Sequence, residues 1–475
     1  MKFFDDALGW MNRLCTPRVS SLDALRSTVL VPNSKLRELS RRMASCIEDG
    51  LGKDTHARAT VKCFQTYVQD MPTGLERGTY LALDLGGSNF RVLKGELGIN
   101  KYFYMEQETY SCSQDLMTGS GEHLFDHIAE CLKKFIDAQG LNDGAEGTPP
   151  AKSKSKNRSL PVGFTFSFPM SQRSVDSGVL TRWTKGFTCD GVVDNDVVEL
   201  LRRSIAKHAG LSVRICAILN DTVGTLMACA WKDPKTKLGL IVGTGSNCCY
   251  VEKVDAIGLY VGDPDKEQMI INLEWGSFGD NGELEGFLTK YDQEVDANSV
   301  NPRQQLFEKM VSGMYLGEIF RLLLVDMAKA NLIFDGRIPE ALRRRRGITT
   351  DVISNVERDP PGSYGNAREC LKKFGIEATD RDLEVIRNVA ECVSKRSARM
   401  VAAGLVAILN RIDEPEITIG VDGSVYRHHP HYHNILVETI NELLENKKKI
   451  NVILSEDGSG RGAAVVAAAV CKSNR

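Results

Sequence analysis

Two stretches of the chain are built alike, and together they limit what it can fold into. Thr79–Lys94 reads TYLALDLGGSNFRVLK, an apolar run, an aspartate, two glycines and a second apolar run carrying Arg91. Leu238–Glu252 reads LGLIVGTGSNCCYVE, again strand, glycine turn and strand. Each predicts a hairpin whose glycines let the backbone fold back and bare its N–H groups to an oxyanion. One such hairpin is an ordinary β-turn. Two of them, each followed by strands and helices, predict two similar α/β halves with a nucleotide gripped between the turns.

At 475 residues the chain has room for two or three cored domains. A net charge of −2 argues against a nucleic-acid or anionic-membrane binder. No apolar run reaches the roughly 18–20 residues of a membrane span. Thirteen cysteines are scattered without CxxC pairs, which predicts reduced thiols and a cytoplasmic compartment. Residues 1–14 carry apolar side chains at 3, 4, 7, 8, 11 and 14, the spacing of an amphipathic helix. Two readings stay open for it: a helix packing on the body, or an anchor on a partner or a membrane such as the mitochondrial surface.

The rest of the pattern predicts helices over 34–70, 122–139, 194–209, 222–231, 303–332, 380–413 and 432–446. Strands are expected over 101–108, 160–168, 214–219, 416–421 and 451–454. Gly140–Ser159, with its KSKSK, reads as a solvated loop. Gly458–Gly462 reads as a glycine turn before a closing helix over 463–472. Arg343–Arg346 reads as a solvated helix end, and the histidines at 428, 429, 431 and 433 lack ligand partners at metal spacing.

No GxxxxGK[ST] stretch occurs, so the glycine turns must hold phosphates in another way. Six further motifs stand in order: FTFSFP at Phe164–Pro169, RWTKGF at Arg182–Phe187, LNDTVG at Leu219–Gly224, INLEWG at Ile271–Gly276, FEKMVSGMYLGE at Phe307–Glu318 and GVDGSVY at Gly420–Tyr426. With both hairpins, these resemble the hexokinase family from about residue 60 to the C-terminus, in its single-unit form. The resemblance implies the actin-like ATPase (sugar kinase) fold, a small and a large α/β domain flanking a deep cleft. Residues 15–220 would supply mostly the small domain. Residues 221–472 would supply the large one, with the final helix returning to the small domain. It implies ATP with Mg²⁺ as phosphoryl donor and glucose or another hexose as acceptor; monomer and homodimer both stay open.

A sugar hydroxyl needs a base within hydrogen-bond reach. Asp221, where a strand gives way to a helix, is expected to be that base, although a helix N-cap is the plain alternative. Lys185 is expected to offset charge on the transferred phosphoryl group. The hexose shell implied by the resemblance is Ser167, Thr184, Lys185, Asn220, Asp221, Asn247, Glu274 and Glu308. The phosphate and nucleotide set is Asp84, Gly86, Gly87, Ser88, Asn89, Arg91, Thr244, Gly423 and Ser424. Asp84 would orient Mg²⁺ through water, with no direct protein ligand. Thr350 and Ser354 align more loosely with the nucleotide side. An inert sugar sensor of the same fold, or a kinase for an acyl or glycerol group, is the competing reading. The presence of Asp221, Lys185, both turns and the whole hexose shell argues against each.

Overall fold

The computed structural model describes residues 21–87, 89–141 and 159–473. The helix expected over 1–14, Ser88 and most of the 140–159 loop lie outside the described residues. Thirteen strands form three sheets among the described residues: β1 Phe64–Gln65, β2 Gly78–Leu85, β3 Asn89–Leu97, β4 Phe103–Ser111, β5 Leu160–Phe166, β6 Met170–Ser174, β7 Ser177–Leu180, β8 Val213–Leu219, β9 Thr236–Val242, β10 Ser246–Lys253, β11 Gln268–Asn272, β12 Glu416–Asp422 and β13 Lys449–Leu454. One sheet runs β4-β3-β2-β5-β8, another β1-β11-β10-β9-β12-β13, and β6 pairs with β7 alone.

The two large sheets share one plan. In each, a glycine hairpin (β2–β3 or β9–β10) sits in the middle, an antiparallel strand flanks its second arm, and two parallel strands follow its first arm. The repeat anticipated from the two hairpins is therefore present, with β1 added at one edge. The first arms are near-continuous apolar runs because both faces of each sheet are covered: Leu81, Ala82, Leu83 and Leu85 are fully buried, as are Leu238 and Leu240.

Chain order and sheet membership do not coincide. Helix Asn33–Leu51 packs on helix Asp380–Leu409, and β1 pairs with β11, so the segment from Leu25 to Cys63 belongs to the core of the six-stranded half. The chain from β2 to β8 then builds the five-stranded half. Between them lies a third core, where helix Asp221–Lys232 and the final helix, Gly458–Ser473, pack on each other and on strands of both sheets.

Three expectations need correction. The helix predicted over 34–70 ends at Leu51. Gly50 approaches the Val61 carbonyl so closely that a Cβ would lie 2.2 Å from it, and the alternation beyond Gly52 is irregular chain with a 3₁₀ turn at His56–Arg58. The helix predicted over 303–332 is two, Leu306–Val311 and Gly313–Lys329. Ser312 is extended between them, and the N–H groups of Gly313 and Met314 donate to the carbonyls of Gly243 and Thr244 in the second hairpin (2.8 and 3.1 Å). Gly458–Gly462 is not a turn but the start of the final helix. These glycines serve close packing: a Cβ on Gly462 would lie 2.1 Å from the Gly224 carbonyl oxygen.

Candidate active site

Asp221 is the first residue of its helix, separated from the end of β8 by Asn220 alone. The cap is its neighbour. Asn220 Oδ1 accepts from the Thr222 N–H (3.0 Å) and the Thr222 hydroxyl (2.8 Å). The capping work falls to Asn220, which leaves the Asp221 carboxylate for other chemistry. Burial raises the Asp221 pKa; Lys185 and the Thr222 N–H pull the other way, while Asp84 and Asp422 add to the rise. These influences reach it from both halves of the molecule.

Lys185 lies on the loop after β7, at φ +56°, with Gly186 following at φ +86°. Two successive left-handed residues make a tight, strained bend. An aromatic floor holds it: Trp183 and Phe187 stack at 5.3 Å, Phe168 meets both edge-on at 4.9 and 5.1 Å, and the Trp183 indole donates to the Cys189 carbonyl (2.8 Å). The exposed Lys185 ammonium donates to the carbonyl of buried Ser167 (2.8 Å) and sits 5.5 Å over the Phe168 ring. Ser167 in turn lies beside the first glycine turn, where a Cβ on Gly86 would be 3.4 Å from its hydroxyl. Thr184 is half-buried on the same loop.

The six-stranded half contributes a carboxylate–amide cluster. Asn247 Nδ2 donates to Asn272 Oδ1 (2.8 Å) and to Glu274 Oε1 (3.0 Å), and Asn272 Nδ2 donates to the same Glu274 oxygen (2.9 Å). Glu274 is held at φ +52°. Glu308 Oε2 accepts from the Ser246 N–H (3.1 Å) and fills the space that a side chain at Gly245 would need. Burial raises both glutamates. Asp221 adds to the rise of Glu274, and Glu308 is pushed to about 7, with Glu274 contributing. Arg182 and Lys185, from the opposite half, pull both down.

In the first hairpin, Gly86 and Gly87 lie in the turn and Asn89 opens β3; a Cβ on Gly87 would meet nothing within 4 Å. Ser88 lies outside the described residues. Arg91 donates to Asp84 Oδ2 and Asp457 Oδ1 (2.5 and 2.7 Å) and to the Ser459 hydroxyl (2.8 Å). Asp84 Oδ2 also accepts from Ser459 (2.8 Å), while its Oδ1 lies beside Gly86. Thr244 is exposed on the second turn. Gly423, at φ +114°, packs against Val242 and Gly243 of that hairpin, and exposed Ser424 follows it. The Thr350 hydroxyl is engaged with Gly313 and Gly317, and Ser354 is buried.

Asn272, Asp422, Asp457 and Ser459 escaped the sequence reading. A signal existed for three of them. Asp-Gly-Ser occurs at 422–424 and again at 457–459, after the adjacent parallel strands β12 and β13. Asp422 Oδ2 accepts from the Gly458 N–H (2.9 Å), tying the second triplet to the first. The histidine cluster is absorbed internally, His429 by buried Glu357 (3.1 Å) and His433 by Tyr426 (2.5 Å). Among the described residues, no group could hold a metal ion by side chains alone, and no helix is long and apolar enough to cross a membrane.

Two hairpin-led sheets of one plan, joined by a pair of crossing helices, constitute the actin-like, sugar-kinase fold. Two family models, each described as hexokinase, match residues 21–231 and 237–469. The chain is 43% identical to human Hexokinase-1 over 97% of its own length and 49% of that protein, and 44% identical to human Hexokinase-2 over 95% and 48%. It therefore spans about half the length of the curated relatives it matches. A hexokinase from Schistosoma mansoni, solved in complex with glucose, superposes with a TM-score of 0.83 at 38% identity, over 94% of this chain and 99% of that one. A second hexokinase crystal structure gives 0.81 at 31% identity, over 94% and 98%. The chain belongs to the hexokinase family.

Proposed function

We propose that this chain transfers the terminal phosphoryl group of ATP to the 6-hydroxyl of glucose, and of related hexoses such as mannose and fructose, the first step of glycolysis. The carrying observation is Asp221, a carboxylate freed from capping by Asn220 and raised in pKa by burial. Raised basicity suits a group that must take a proton from a hydroxyl near neutral pH. Asn247, Glu274, Glu308, Asn220 and Ser167 offer acceptors and donors for the sugar's other hydroxyls, and geometry of that kind selects among sugars. Thr184 and Lys185 close the ring from the opposite half.

The glycine turns suit phosphates, because Gly87 leaves open space over backbone N–H groups. Thr244, Gly423 and Ser424 would line the nucleotide side. Asp84 Oδ1 and the buried, unpartnered Asp457 Oδ2 are the oxygens suited to hydrated Mg²⁺. When bound, Mg²⁺ would neutralise charge on the transferred group. Lys185 reaches the site from the small-sheet side, and Arg91 would be available to phosphate on leaving one of its two carboxylates. The reading includes closure of the two halves on the sugar, which would expel water that could otherwise accept the phosphoryl group.

A coupled assay over several hexoses tests it, with Asp221→Asn as the decisive variant. Turnover is expected to fall about 10²–10⁴-fold, with glucose binding retained by calorimetry. Near-normal turnover would remove Asp221 from its assigned role.

A further inference from the structure

Two cysteines that the site does not use lie side by side at its far end. Cys216 sits in β8, buried; Cys471 is half-buried in the last turn of the final helix. Their sulfurs are 3.2 Å apart although 255 residues separate them in sequence. Arg214, two residues before Cys216, donates from Nη2 to Cys471 Sγ (3.1 Å) and lines a surface cavity of about 340 Å³ with Arg202 and His208. A guanidinium beside a partly exposed sulfur favours the thiolate, the reactive form.

We propose that Cys216 and Cys471 form a reversible dithiol–disulfide pair that pins the end of the final helix to β8. A disulfide needs its sulfurs about 2.05 Å apart, so the pair must close by about 1.2 Å. The oxidant is a disulfide of the glutathione class, whose carboxylates suit the basic cavity. The Cys471 thiolate attacks one sulfur of oxidised glutathione. The sulfur–sulfur bond breaks, a mixed disulfide forms on Cys471, and one glutathione thiolate leaves and takes up the proton lost by Cys471. Cys216 then attacks the Cys471 sulfur as its own proton passes to the second departing glutathione. The balance is one protein dithiol and one oxidised glutathione giving one protein disulfide and two reduced glutathiones. The Cys216 thiol is raised by its contact with Cys471 and by burial, so it serves as the slow resolving partner rather than the attacking one.

The pinned helix matters because its other end carries Gly458 and Ser459, bonded to Asp422, Asp84 and Arg91. Oxidation should therefore slow amide exchange along 458–473 and leave the hexose shell chemically untouched.

The test incubates the intact chain in glutathione buffers from reducing to oxidising, blocks remaining thiols and maps cross-links by mass spectrometry. The expected product is a 216–471 linked peptide lighter by two hydrogens, absent from Cys471→Ser. Cys216→Ala should instead accumulate a glutathione adduct on Cys471. Arg214→Gln should slow adduct formation several-fold, because the guanidinium beside the Cys471 sulfur is removed. Cys471→Ser alone decides the matter if the buried substitution impairs folding. A persistent adduct on wild-type Cys471 with Cys216 still open to alkylation, or cross-links through other cysteines, would overturn the proposal, as would unchanged exchange along the helix.

Discussion

At the scale of single residues, the site is a set of side chains held in unfavourable states by their surroundings. Lys185, Glu274 and Asp457 all adopt positive φ, a conformation that costs a non-glycine residue of order 1–3 kcal/mol and persists where neighbours over-determine it. Glu308 shows the electrostatic counterpart. Its pKa of about 7 means that the folded chain binds a proton there that the unfolded chain, near 4.5, would release. The folded state therefore gains stability from this group as pH falls from above 7 towards 4.5, and loses it as pH rises. Glu308→Gln removes that penalty, so it should unfold at a higher temperature than wild type at pH 8, with the gap closing near pH 5. The same variant should raise the hexose KM about 10–100-fold, the worth of one hydrogen bond to a charged acceptor. Calorimetry at the two pH values and a hexose titration check both halves. Asp221 gives a matching pH sign: a base works deprotonated, so turnover should fall as pH drops through its raised pKa.

Elements differ in how plainly the sequence announced them. The strands of both hairpins, and helices Gly121–Ala138 and Asp380–Leu409, fall close to where apolar patterning put them, because the strands are nearly continuous buried runs and the helices carry long buried faces. The motifs pointed to Asn247, Glu274 and Glu308, which the fold holds by hydrogen bonds in the six-stranded half. What stayed hidden depends on tertiary contact. The Ser312 break is set by hydrogen bonds to a hairpin far away in sequence, and no local breaker marks it beyond one glycine. Gly458–Gly462 has turn composition, but it was selected for approach to Gly224, which only the packed helices reveal. Arg91 could not be assigned to carboxylates without knowing that Asp457 comes to meet it. The glycines supply a paired prediction. Gly462→Ala forces a Cβ against backbone at 2.1 Å and should cost at least about 3 kcal/mol of stability, read by denaturant unfolding. Gly87→Ala meets nothing within 4 Å and should unfold like wild type while raising the KM for ATP several-fold. If Gly87→Ala leaves that KM unchanged, the first turn does not hold phosphate.

Across the whole molecule, each half is completed by a segment that lies far from its strands in the chain. The segment from Leu25 to Cys63 completes the core of the six-stranded half, and the final helix lies on β2, β5 and β8 of the five-stranded half. The Asp221 helix and the final helix pack between the sheets, so the proposed closure of one half on the other would be accommodated around Gly224, Gly458 and Gly462. Small-angle scattering should show a smaller radius of gyration on adding glucose, and no change would count against closure. The discontinuity also governs how the protein comes into being. On the ribosome, β2 through β8 emerge long before helix 458–473, which supplies their cover and contributes fully buried Ala463, Val465 and Val466. Until that helix arrives, the sheet has one bare apolar face. The five-stranded half should thus not fold as it emerges; it should wait for that helix and then collapse in one cooperative step, slowly, as long-range topologies do. Nascent chains arrested at residue 457 should remain protease-sensitive throughout 78–219 and bind holding chaperones, whereas those extended past 473 by enough tether to clear the exit tunnel should become resistant at a stroke.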